Sequence, residues 1–210
     1  MPTAIRPDDA LIVIDVQNDF CPGGALAVAD GDAIVPLVNR LIAAFDHVVL
    51  TQDWHPADHR SFASAHPGHQ PFGTVDAAYG PQTLWPDHCV QGTPGAAFHP
   101  GPQATKAELV IRKGFRRDID SYSAFAENDR RTPTGLAGYL RERGLRRLFL
   151  CGLATDFCVL YSALDARAAG FEAIVLEDAC RAIDLDGSLA RAHAELAAAG
   201  ISRTGISAIL

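Results

Sequence analysis

Leu148-Phe-Leu-Cys-Gly-Leu-Ala-Thr-Asp-Phe-Cys-Val-Leu160 is the stretch that decides the fold. Leu148 to Leu153 is an apolar run broken only by Gly152, as expected of a central strand covered on both faces. Phe157, Leu160, Tyr161, Leu164 and Ala168 then recur at helical spacing. Thr155 and Asp156 are candidates to cap the free N–H groups, and Gly170 ends the element. Strand, tight turn and helix therefore follow one another without a linker. Cys158 falls in the first helical turn, where the positive end of the macrodipole favours thiolate over thiol. The N–H groups of Ala154 and Cys158 are the ones expected to converge on a developing oxyanion. A lone cysteine on a helix is more often packing than chemistry, so its company has to decide.

Working outward, Ala10-Leu-Ile-Val-Ile-Asp-Val16 reads as a second buried strand ending in a carboxylate. Ile34, Leu37, Val38, Leu41, Ile42 and Phe45 mark an amphipathic helix capped near Asp30 or Asp32, and His47 to Gln52 supplies the next strand. Leu109-Val-Ile-Arg-Lys113 is a strand ending in an ammonium. A short helix follows around Leu136, Tyr139 and Leu140, with Pro133 near its first turn. Phe171 to Leu176 is a further strand with an acidic exit, Leu189 to Ala199 a helix stopped by Gly200, and Ile201 to Leu210 one more strand and a tail. This alternation predicts an α/β fold: a doubly wound parallel sheet of about six strands with helices on both faces and a ligand crevice at the C-terminal strand ends.

The totals agree. The 210 residues, 48% hydrophobic and 20% charged, fit one domain over 1–210, and a net charge of −7 with scattered Lys and Arg argues against nucleic acid or an anionic membrane as partner. No G-x-G-x-x-G or Walker sequence points to a nucleotide. The N-terminus lacks an export signal, no run approaches a membrane span, and five cysteines at irregular spacings do not form a disulfide framework, so a cytoplasmic location is expected. Cys21, Cys89, Cys151 and Cys180 read as small packing residues. A homo-oligomer is compatible with all of this.

The company of Cys158 is Asp15 and Lys113. The three lie just beyond three strands of one sheet and can meet in one crevice as nucleophile, base and electrostatic stabiliser. Asp53 to Thr105 is a long excursion rich in Pro, Gly, His and aromatics, with two tryptophans and six histidines, and is expected to be folded over the sheet's edge. Asp53, His55 and His59, with His88, offer one carboxylate and imidazoles, a set suited to Zn²⁺, Fe²⁺ or Mn²⁺; the alternative is ordinary hydrogen-bonding loop histidines. Pro56 suits the start of a helical turn that would put the rings of His55 and His59 on one side.

Along nearly the whole chain these motifs resemble the nicotinamidases, also called pyrazinamidases, of the isochorismatase-like hydrolase superfamily. The resemblance is carried by Asp15-Val-Gln-Asn-Asp-Phe-Cys-Pro-Gly-Gly24, Gln52-Asp-Trp-His-Pro56, Trp85-Pro-Asp-His-Cys-Val-Gln-Gly92, Lys113-Gly114 and Gly152-Leu-Ala-Thr-Asp-Phe-Cys158. It implies that Cys158 is the nucleophile, Asp15 the general base and Lys113 the group that holds the ion pair. A cis peptide at Leu153-Ala154 beside the oxyanion hole is implied as well. It further implies one divalent metal ion on Asp53, His55 and His88, with His59 a fourth ligand in some members, and a pyridine ring walled by Phe20, Trp85 and Tyr122. Where some relatives carry His before the nucleophile, this chain has Phe157. The implied reaction is hydrolysis of nicotinamide, and by extension pyrazinamide, through a thioester in NAD salvage. Hydrolysis of another small amide or a vinyl ether, metal-activated water, and a silent scaffold are the rivals.

Overall fold

In the computed structural model, which describes residues 4–210, the two continuous apolar runs form the centre of the sheet. Strand β1, Asp9–Ile14, and strand β6, Arg147–Leu153, are buried at every position, as strands covered on both faces must be. Between them in sequence come α1 (Val35–Ala44), β2 (His47–Asp53), the hairpin strands β3 (Thr74–Ala77) and β4 (Gly80–Thr83), β5 (Leu109–Lys113) and α2 (Leu136–Glu142). After β6 follow α3 (Leu160–Ala168), β7 (Glu172–Arg181), α4 (Ser188–Ala198) and β8 (Ser202–Thr204).

The main sheet has six strands in the order β5-β2-β1-β6-β7-β8, all parallel. Strand order runs outward in opposite directions from β1 and β6, so right-handed crossovers put α1 and α3 on opposite faces. The β1–β6 junction is therefore the topological switch point, and its C-terminal crevice is where a ligand is expected. Packing there is close. Gly152 pairs with Ile14 at φ +123°, and a Cβ on it would run into the Ile14 backbone, so glycine is required. Phe45 and Phe149 meet edge to face at 5.1 Å below the sheet's central strands.

Several expectations need correction. The turn after β6 is a π-helical turn, Thr155–Val159, before α3 proper, and neither Thr155 nor Asp156 caps it. The Asp156 carboxylate instead accepts from Ile183 N, Asp184 N and Ser188 Oγ, tying the turn to the start of α4. Asp30 and Asp32 make no side-chain cap on the first helix, which is led in by a 3₁₀ turn, Gly31–Ile34, with Pro36 in its first turn. β7 runs on to Arg181 through a register shift, so Glu177 and Asp178 lie inside the strand. No helix forms between His55 and His59; a turn closed by His59 N to Pro56 O brings the rings to 4.3 Å instead. The excursion is folded, as expected, but over the strand ends. Asn18 N and Asp19 N donate to Ala97 and Gly95 carbonyls, and Trp54 N to Lys113 O.

Candidate active site

Asp15 is the first residue past β1, held at φ +49°. Its amide donates to Thr51 Oγ, and the Thr51 hydroxyl donates back to Asp15 Oδ1 at 2.6 Å. That pairing fixes the carboxylate and turns Oδ2 toward the crevice. Lys113, at the end of β5, reaches across β2 to place Nζ 2.8 Å from Asp15 Oδ2. The same Nζ also reaches Asp53 Oδ1 at 2.5 Å, Ser121 O at 3.0 Å and Cys158 Sγ at 3.3 Å. Asp15 Oδ2 is thus ion-paired to Lys113 inside a buried site, with the Cys158 thiol as its other polar neighbour. The ligating atoms of Asp15, Asp53 and Cys158 all lie within 4.8 Å of one another.

Electrostatics follow from burial. Desolvation pushes the Asp15 carboxyl up against the pull of Lys113, and it pushes the Cys158 thiol well up, again against Lys113 and reinforced by Asp15 and Asp53. The helix-end position of Cys158 therefore does not by itself yield a thiolate in the free site; burial outweighs the dipole. Burial also works against the charge on Lys113, but Asp15 and Asp53 raise it well above the ordinary range, so it stays an ammonium. Asp53 goes the other way: Lys113 and His55 outweigh burial and hold its carboxyl well below the usual range.

The second carboxylate oxygen of Asp53 faces two imidazoles, His55 Nε2 at 3.6 Å and His88 Nε2 at 3.8 Å. The opposite nitrogens are committed: His55 Nδ1 to Gly114 O and His88 Nδ1 to Pro86 O, both at 2.8 Å. Carbonyls only accept, so each Nδ1 carries a hydrogen and each Nε2 is the nitrogen left to face Asp53 Oδ2, with a lone pair for a metal ion when the ring is neutral. One carboxylate oxygen and two oriented imidazole nitrogens fit a borderline divalent ion, with the carbonyls as orienting partners. The Asp53 carboxylate outweighs burial in raising His55. His59 is placed differently. Its Nδ1 accepts from Ser61 N and faces Ser61 Oγ, which directs the Nε2 hydrogen to Ile119 O. Burial, then His55, push it down to about 4. It groups with His55 and Asp120 and stands apart from the Asp53-His55-His88 set.

Beside both clusters lies a narrow hollow lined in part by Cys158, Ala154, Asp53 and His88. All three expected wall residues, Phe20, Trp85 and Tyr122, line it, with Trp85 and Tyr122 edge to face at 6.1 Å. The Leu153-Ala154 peptide is cis. Sequence reasoning missed Leu26, Asp120 and Ile183 on the wall, and Gln17, whose amide clamps the Asp53 backbone from both sides. Gln17 stands inside the quoted Asp15 motif and was legible there; Asp120 carries no such signal.

The isochorismatase domain family matches residues 9–204, the span that holds the acid, the amine and the thiol. The chain belongs to the isochorismatase family. A nicotinamidase of Acinetobacter baylyi is 57% identical over 201 residues, covering 96% of this chain and 94% of the relative. The solved Acinetobacter baumanii nicotinamidase/pyrazinamidase superposes with a TM-score of 0.97 at 54% identity, covering 98% of this chain and 99% of that one. The pyrazinamidase of Pyrococcus horikoshii, solved in complex with zinc, gives a TM-score of 0.76 at 39% identity over 95% and 99% of the two chains. Membership of the isochorismatase family thus extends over the sheet, the crevice and the excursion alike.

Proposed function

We propose that this chain is a nicotinamidase: it hydrolyses nicotinamide to nicotinate and ammonia, and pyrazinamide likewise, within NAD salvage. The observation that carries this reading is the Lys113 ammonium, bound between Asp15 Oδ2 and Cys158 Sγ, with Cys158 itself on the wall of an aromatic-lined hollow. Its relatives named as nicotinamidases supply the substrate class.

The carboxamide substrate enters with its ring between Phe20, Trp85 and Tyr122 and its carbonyl carbon over Cys158. The Cys158 thiol gives its proton to the Asp15 carboxylate beside it, which burial has already made more basic. Lys113 stays cationic throughout and stabilises whichever of the two groups holds the negative charge. The thiolate forms a C–S bond, the carbonyl electron pair moves to oxygen, and the N–H groups of Ala154 and Cys158 hold that oxyanion. Collapse breaks the C–N bond as Asp15 returns its proton to the departing ammonia. A water then gives its proton to Asp15 and attacks the thioester, releasing nicotinate and restoring the thiol. Asp53, His55 and His88 would hold a divalent ion, with zinc, iron and manganese all suited to the donor set. When bound, that ion supplies a Lewis-acidic anchor for the ring nitrogen. Among the described residues no helix is long and apolar enough to cross a membrane.

Ammonia release from nicotinamide, with and without chelator, tests the activity. Cys158→Ala is expected to abolish turnover while retaining binding of nicotinamide, and quenched mass spectrometry of the unmodified chain is expected to show a nicotinoyl adduct on Cys158. Turnover by Cys158→Ala at an undiminished rate would refute covalent catalysis.

A further inference from the structure

The hairpin of β3 and β4 contributes no lining residue to the hollow, yet it buries one amide against it. Gln82 on β4 is 1% exposed. Its Nε2 lies 2.9 Å from Asp120 Oδ2, 3.0 Å from Tyr122 Oη and 2.7 Å from Thr83 O, while its Oε1 accepts from Tyr79 Oη at 3.0 Å and Asn128 Nδ2 at 3.3 Å. Both hydrogens and both lone pairs of the amide are thus engaged, which leaves the side chain one orientation. Two of its partners, Asp120 and Tyr122, line the hollow; Gln82 does not. The indole of Trp85 donates to the same Tyr122 oxygen at 3.2 Å, so the Gln82 amide and the Trp85 ring converge on one hydroxyl.

We propose that Gln82 is a positioning residue for the substrate ring. Acting through Tyr122 and Asp120, it fixes the far side of the aromatic wall and so sets how tightly the ring is held. It makes no contact with Asp15 or Cys158. This rests on the nicotinamidase reading of the hollow. Because the acylating groups keep their own partners, losing Gln82 removes binding common to ground and transition states, which appears in KM rather than kcat.

The test compares nicotinamide kinetics and nicotinate calorimetry for the unmodified chain, Gln82→Leu, Gln82→Glu and Tyr79→Phe. Gln82→Leu is expected to raise KM at least tenfold and weaken nicotinate by a similar factor, with kcat within threefold. Gln82→Glu keeps the shape but turns an acceptor toward Asp120 Oδ2, so its KM is expected to rise at least as far; it also serves where Gln82→Leu is not recovered folded. Tyr79→Phe removes the donor to Gln82 Oε1 and the acceptor of Asp120 N but keeps the Nε2 contacts, so its KM is expected to rise by less than that of Gln82→Leu. Combining Gln82→Leu with Tyr122→Phe is expected to cost less than the product of the two single effects, since both remove the same contact. A competent unmodified chain whose KM is unmoved by both Gln82 variants, or whose kcat alone falls, overturns this inference and leaves the functional reading standing. An unmodified chain that releases no ammonia overturns both.

Discussion

Replacing Lys113 with Met would strand two carboxylates that share one ammonium. Lys113 is 1% exposed, Asp15 0% and Asp53 4%, and Nζ sits 2.8 Å from one carboxylate and 2.5 Å from the other. Methionine keeps most of the stem's volume, so the cavity contribution is small and the loss is chiefly electrostatic. Deleting one member of a buried pair costs about 3–5 kcal/mol, because the remaining charge is left uncompensated. In a chain of 210 residues each kcal/mol moves Tm by about 2–4 °C, giving an expected fall of roughly 6–20 °C. The upper half is expected in chelator-treated protein, where no metal ion stands beside Asp53. Urea unfolding at neutral pH measures the change. The control is Lys113→Met combined with Asp15→Asn: removing one stranded charge is expected to regain roughly 1–3 kcal/mol while the chain stays inactive. A single variant that loses less than about 1 kcal/mol, or a double variant no more stable than the single one, would refute the view that the pairing holds the site together.

The remaining predictions concern proton transfer, the metal ligands and close packing. Asp15 must be ionised to accept the thiol proton, and burial raises its pKa, so kcat/KM is expected to fall as pH drops through a value above the ordinary aspartate range; a rate flat to about pH 4 would remove Asp15 as base. Asp53→Asn with His88→Ala is expected to leave protein that retains no zinc after dialysis, measured by plasma mass spectrometry, and full metal content would sink the ligand assignment. Gly114→Ala places a methyl at φ +65° against the His55 ring, so a stability loss of about 1–3 kcal/mol and a fall in metal content are expected together; stability loss with unchanged metal would separate Gly114 from the ligand set. Gly152→Ala pushes a methyl into the Ile14 backbone and is expected to cost about 3 kcal/mol or more by thermal unfolding.

What the sequence reveals divides along a physical line. β1 and β6 are legible because strands buried on both faces must be apolar throughout, and a run of that kind also locates its own end, where Asp15 and the Cys158 turn stand. Lys113 is legible as the residue that ends a short apolar run, although β5 is an edge strand of alternating exposure. The hairpin of β3 and β4 is not. Its strands, Thr-Val-Asp-Ala and Gly-Pro-Gln-Thr, have no alternating apolar face, since Gln82 packs inward through hydrogen bonds rather than hydrophobic contact. The π-helical turn is equally invisible, because Phe157, Leu160 and Leu164 show the same spacing whether or not one residue is wound in ahead of them. Asp156 looks like a cap in sequence, and becomes a clamp on Ser188 only once α4 is brought beside it. The groups that react were therefore easier to find than the groups that aim them. A reacting residue is pinned by its own strand, whereas Thr51 acquires its role from Asp15, 36 positions away, and Gln17 from Ala96, 79 positions away. Such supports are polar residues whose meaning exists only in the folded pairing, and it follows that tests of the site should perturb Thr51, Gln17 and Gln82 as readily as Cys158.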